Sequence, residues 1–231
     1  MLHTLAVSHY RTLYDLTMPL AGLNLISGAN GCGKSNLYRA LRLLAETAQG
    51  GVIGSLAREG GLSSTFWAGP SHVSRRMRTG EVPVQGTQSE HKSKRLQLGF
   101  AGADFGYAIS LGLPIFGNLG PSAFNLDPII KHECIWATGS DSKAFRPARA
   151  LVVRDGAAVK VRDGRGWNVS DVRLPTYDSL FAAVADPQAT PEVFAVREIL
   201  RGWRFYDHFR TDYLAPARQA HGQLYKFSLL S

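Results

Sequence analysis

The chain has 231 residues, 45% of them hydrophobic: enough apolar material for a packed core and too much for a disordered or collagen-like polypeptide. It carries 26 Lys and Arg against 18 Asp and Glu, a formal charge of +8, so its surface suits nucleic acid, an anionic membrane or a nucleotide, or serves solubility alone. No segment reaches the roughly 18 uninterrupted apolar residues of a membrane span, no leader-like segment opens the chain, and two cysteines cannot build a disulfide framework; a cytoplasmic setting without a membrane partner is expected.

The first elements read as strands. Residues 5–9 are short and mostly apolar, residues 13–19 alternate with period two, and residues 23–27 (Leu-Asn-Leu-Ile-Ser) form a third candidate. A glycine-rich turn over 28–33 follows, and a helix is predicted from about Lys34. Leu37, Ala40, Leu41, Leu44 and Ala48 stand at helical spacing, and Gly50 and Gly51 end it. Residues 51–92 are poorly patterned and basic, with Arg75, Arg76, Arg78 and Lys92. They read as a loop region holding at most one short helix. The basic stretch 75–95 offers phosphate contacts to DNA, or a solvated loop.

A β-rich subdomain is expected over 93–175. Residues 95–100 and 105–113 alternate around a turn at Gly102 and Asp104, residues 129–136 make another strand, and residues 151–154 and 158–162 flank an Asp155-Gly156 turn. Asp163-Gly164 offers one more turn before Trp167. The part from 176 to 231 turns helical: residues 177–185 are short and apolar, closed by Asp186-Pro187. Thr190-Pro191-Glu192 then starts a helix whose Val193, Val196, Leu200 and Trp203 share a face. Trp203, Phe205 and Tyr206 read as core rather than as stacking platforms.

One segment carries chemistry. Gly28, Ala29, Asn30, Gly31, Cys32, Gly33, Lys34 and Ser35 fit G-x-x-x-x-G-K-[ST] without a mismatch, with a candidate strand before and a candidate helix after. The glycines free the backbone to turn N–H groups inward around phosphate oxygens. The helix N-terminus adds its positive dipole end. Lys34 supplies a full charge to the β- and γ-phosphates, and the Ser35 hydroxyl a ligand to Mg²⁺. ATP and Mg²⁺ are thus the expected ligands. Cys32 reads as a small tolerated side chain, with redox chemistry the alternative.

Asn30 and Asn36 extend the motif to G-x-N-G-x-G-K-S-N. That variant resembles the P-loop of RecF/SMC-type ABC ATPases and of related AAA-family ATPases, including those related to overcoming-lysogenization-defect proteins. The opening around Tyr10-Arg11-Thr12-Leu13 is similar to that family's strand-to-turn entry. The resemblance implies an α/β P-loop NTPase fold of the ABC/RecF-like head type, with an antiparallel β-rich subdomain and a C-terminal helical part. It implies that ATP binding closes two heads into a homodimer and that hydrolysis reopens it, a cycle coupled to DNA in repair, chromosome handling or phage defence, with a nuclease as a further partner. It makes Arg11 a contact near the nucleotide base; a solvated turn residue is the other reading.

Parts of the family pattern are missing. Four apolar residues followed by Asp-Glu are not found; residues 151–155 come nearest but contain Arg154 and read as a hairpin. No Ser-Gly signature stands apart from the P-loop: Ser170-Asp171 lacks the glycine, and His208 and His221 lack the setting of a switch histidine. One truncated ATPase domain over 1–231 is therefore expected, its hydrolysis uncertain and its catalytic acids unknown. Gln85, Gln88 and Gln97 remain open as the γ-phosphate-sensing glutamine. His72, His91 and His132 lack metal-ligand spacing, and His132 and Cys134 share a strand face without a second ligand pair. The alternatives are a non-hydrolysing module that binds nucleotide or nucleic acid, an inactive remnant, and a P-loop kinase, against which Asn30 and Asn36 weigh.

Overall fold

The computed structural model describes residues 1–70, 73–84, 95–114, 126–139, 147–170, 173–183 and 190–206. Among the described residues the strands are β1 (Leu2–Tyr10), β2 (Leu13–Pro19), β3 (Leu96–Gly102), β4 (Phe105–Gly112), β5 (Ile129–Ala137), β6 (Ala150–Asp155), β7 (Ala158–Asp163) and β8 (Gly166–Val169). Each pairs antiparallel with its neighbours in one sheet of order β2-β1-β3-β4-β5-β6-β7-β8. The opening strands and the β-rich stretch, read from sequence as separate parts, are thus continuous through the β1–β3 pairing.

Alternation decides which face is covered. Leu5 and Val7 of β1, Leu96, Leu98 and Phe100 of β3, and Tyr107, Ile109 and Leu111 of β4 are buried against helices. Burying side chains of this size stabilises by about 1.5–3 kcal/mol each. Helix α1 (Lys34–Thr47) lays Leu37, Ala40, Leu43 and Leu44 into this core, as the 3.6-residue spacing predicts. Helix α6 (Pro191–Arg201) adds Val193, Val196 and Leu200. Its N-cap is Thr190 with Pro191 in the first turn, as expected. It ends at Gly202, so Trp203 lies beyond the helix, yet its ring still packs 5.4 Å from Phe100. Phe205 lies edge-on to Tyr38, while Tyr206 is exposed and not core.

The stretch read as a basic loop is more ordered than expected. It holds α2 (Val52–Arg58), α3 (Leu62–Thr65) and α4 (Arg75–Arg78). Val52, Leu56, Leu62 and Phe66 are buried in the main core. The pattern was hidden because each helix is too short to show a period. Arg75, Arg76 and Arg78 stand on α4, all exposed.

The third candidate strand does not form. Residues 23–27 carry no strand pairing; Leu23 and Leu25 are more than 90% exposed and Ile26 nearly half. An isolated strand leaves a row of backbone donors and acceptors without partners, so apolar content alone cannot hold it. The sheet is antiparallel throughout the described residues. A short α5 (Leu180–Ala183) packs Leu180 and Phe181 into the core. The expected helical region beyond 206, with His208 and His221, lies outside the described residues, as do Asp171, Asp186 and Pro187.

Candidate functional site

The 28–35 loop joins the unpaired segment to α1. Gly31 and Gly33 take φ of 83° and 102°, in the left-handed region where other residues are strained. Gly33 is the N-cap of α1, and a Cβ there would stand 2.7 Å from Thr12 Oγ1. The loop therefore rests on the β1–β2 turn, where Asn36 Nδ2 also donates to Thr12 Oγ1 at 2.8 Å. No side chain caps α1 and its first turn holds no acid, so its positive end is left for an anion.

Lys34 turns back over the loop. Its Nζ donates to Gly28 O and Ala29 O, each at 2.7 Å, and lies 3.7 Å from Cys32 Sγ. The ammonium thus folds back onto the loop's own carbonyls. Cys32 is exposed, and its Sγ stands 2.8 Å from where a Cβ on Gly28 would lie. Asn30 and Ser35 are exposed beside it. The hydroxyl of Ser35 has the chemistry of a single hard-oxygen ligand, which fits a Mg²⁺ ion that takes most of its ligands from phosphate and water.

Arg11 occupies the turn itself, with φ of 50°. Its guanidinium is engaged: Nη2 and Nε donate to Glu59 Oε2 at 2.7 and 3.1 Å. Tyr10, folded into the core beneath, donates its hydroxyl to the same carboxylate at 2.9 Å. Burial, joined by the hydrogen bond to Glu59, pushes the Tyr10 phenol up to about 12. Sequence reasoning missed Glu59, which ties Arg11 to the end of α2; a lone acid in a weakly patterned stretch gives no signal.

The other candidates fall elsewhere. Gln97 stands exposed on the sheet face opposite α1, since its neighbours Leu96 and Leu98 face the helices. Gln85 and Gln88, like His72 and His91, lie outside the described residues. His132 and Cys134 share that open face, and Glu133 between them points into the core. Residues 151–155 form β6 and turn through Gly156 into β7, the hairpin that their sequence predicts. Arg154 there is wholly buried against Glu133.

A family model described as "AAA domain, putative AbiEii toxin, Type IV TA system" matches residues 23–107. The matched stretch starts at the unpaired segment and runs through the loop, α1 and β3 into β4. It supports an AAA-type P-loop ATPase domain, with the nucleotide and Mg²⁺ use usual for one. No curated protein matches the chain. Among the described residues no helix is long and apolar enough to cross a membrane.

Proposed function

We propose that residues 1–231 form one ATPase domain of the RecF/SMC-like class that binds Mg-ATP at the 28–35 loop. The position of Lys34 carries this reading. Its ammonium is held by two loop carbonyls at 2.7 Å in front of an uncapped helix, where a polyphosphate would exchange those carbonyls for phosphate oxygens. The backbone N–H groups from Gly31 to Ser35 then bind the anion, with Gly28, Ala29 and Cys32 forming the wall of the cradle. Asn36 fixes the helix to the turn through Thr12. Asn30 borders the loop's mouth. Arg11 approaches the base once it leaves Glu59. Ser35 holds Mg²⁺, which neutralises phosphate charge when bound.

In this reading the site works in the cytoplasm, two heads close on ATP as a homodimer, and the cycle acts on DNA in repair, chromosome handling or phage defence, with a nuclease as a further partner. Binding without turnover is the second reading, since the sequence holds no four apolar residues followed by Asp-Glu. The nearest approach to an Asp-Glu strand places a buried guanidinium where the apolar run should end.

Calorimetric titration of Mg-ATP into the chain and into Lys34→Ala tests the site. Loss of a charge-assisted phosphate contact should weaken binding by about 2 kcal/mol or more. Equal affinity in the two proteins overturns the assignment. Phosphate release measured alongside separates turnover from binding alone.

A further inference from the structure

The sheet face opposite the helices has a regular composition that the pairing registers make explicit. One row across the strands reads Asp15, Ser8, Gln97, Ser110 and His132, each directly opposite the next. The next row reads Thr17, Ala6, Gly99, Ala108 and Cys134. In the third, Trp136 lies over Gly106, where a Cβ would meet the indole at 2.2 Å. A floor of small side chains is thus bounded by a polar ladder on one side and an indole on the other.

These rows line a half-open trough of about 470 Å³ running from β2 to β5. That volume falls within the range of small-molecule sites, roughly 300–1,000 Å³. The floor is flat because Gly99 cannot carry a side chain: a Cβ there would stand 2.9 Å from Tyr107 O. Ser110 is 5% exposed and its Oγ is enclosed with no hydrogen-bond partner. Buried hydroxyls are ordinarily paired. No lysine or arginine lines the cavity among the described residues, and Asp15 stands at one end.

We propose that this trough binds a neutral, planar, hydrogen-bonding heterocycle of nucleoside size, laid flat on Ala6, Gly99 and Ala108. Its polar edge meets Ser8, Gln97, Ser110 and His132, and its other edge meets Trp136. The missing cations and the Asp15 carboxylate select against a phosphorylated form. The site is thus separate from the phosphate cradle and does not depend on it.

The probes are adenosine, guanosine, cytidine and uridine, titrated into the full chain and into Lys34→Ala, read by saturation-transfer NMR and calorimetry. At least one nucleoside should bind saturably, with the same affinity in both proteins. Its 5′-monophosphate should bind more weakly. Ala108→Leu, which raises the floor, should weaken binding about tenfold or more. Gln97→Ala, an exposed change that spares the core, should weaken it about threefold or more. The proposal fails if no nucleoside saturates up to about 10 mM, if binding ignores both trough variants, or if Lys34→Ala abolishes it. It fails equally if the chain self-associates and Ala108→Leu abolishes the association instead, which would make the face a protein interface.

Discussion

Glu133 and Arg154 face each other directly across β5 and β6, both fully buried, with Arg154 Nη1 donating to Glu133 Oε2 at 2.9 Å. Further hydrogen bonds hold both partners of the pair. Glu133 also accepts from Tyr107 Oη at 2.7 Å, Ser179 Oγ at 2.6 Å and Leu180 N at 3.0 Å. Arg154 donates to the carbonyls of Gly156 and Pro175, each at 2.7 Å, and to that of Asp178. The pair therefore ties the sheet to the 173–183 segment. Burial and the neighbouring Glu133 charge hold the Tyr107 phenol well above its usual pKa, so it stays a donor.

Arg154→Met should destabilise the protein by about 3–5 kcal/mol, because it leaves the Glu133 carboxylate buried without its charge partner. Urea unfolding followed by circular dichroism measures this. A loss under about 1 kcal/mol would mean that the carboxylate finds water or is neutralised cheaply.

Alkaline stability should depend on Tyr10. Its phenol titrates at about 12 in the fold against 10.0 unfolded, so the folded state binds more protons between these values. The stabilisation is complete below pH 10 and is lost as pH rises through about 12. Two pH units correspond to about 2–3 kcal/mol. Tyr10→Phe should flatten the unfolding free energy measured from pH 9 to 12, relative to the wild type.

Gly33→Val should abolish Mg-ATP binding and lower stability by about 1–3 kcal/mol. A β-branched residue is strained at φ of 102°, and its Cβ would press on Thr12 Oγ1 at 2.7 Å. Calorimetry and thermal unfolding report the two effects separately. Full nucleotide binding by this variant would show that the cradle tolerates a different backbone.

The two thiols should differ sharply in reactivity. Cys32 is exposed on the loop, whereas Cys134 is 2% exposed, its thiol pushed up to about 12 by burial. Mass spectrometry after brief iodoacetamide treatment at pH 8 should find label on Cys32 alone, and on both residues in urea. The adduct at Cys32 should block Mg-ATP binding by filling the loop. Labelled protein that binds normally would place the phosphates away from Cys32.

Most strands were legible because their signals are local. Val159 and Val161 flanking Lys160, or the turn at Asp155-Gly156, carry their instruction within a few residues. So does the loop: Gly31, Gly33, Lys34 and Ser35 announce a phosphate cradle by spacing alone. Residues 23–27 show the limit of such reading. Leu23, Leu25 and Ile26 spell a strand, but a strand exists only where another offers hydrogen bonds, and none of the described strands does.

What the sequence determined by itself was therefore the period of each element, the chemistry of the loop and the sign of the charge. The tertiary structure decided what depends on neighbours distant in the chain. It set Glu59 against Arg11 across 48 residues and Glu133 against Arg154 across 21. It placed Gln97 on the face away from α1, and it stacked the Ala6, Gly99 and Ala108 row into a floor. Local propensity acts within a few residues, whereas ion pairing, burial and register are settled only when separate segments meet.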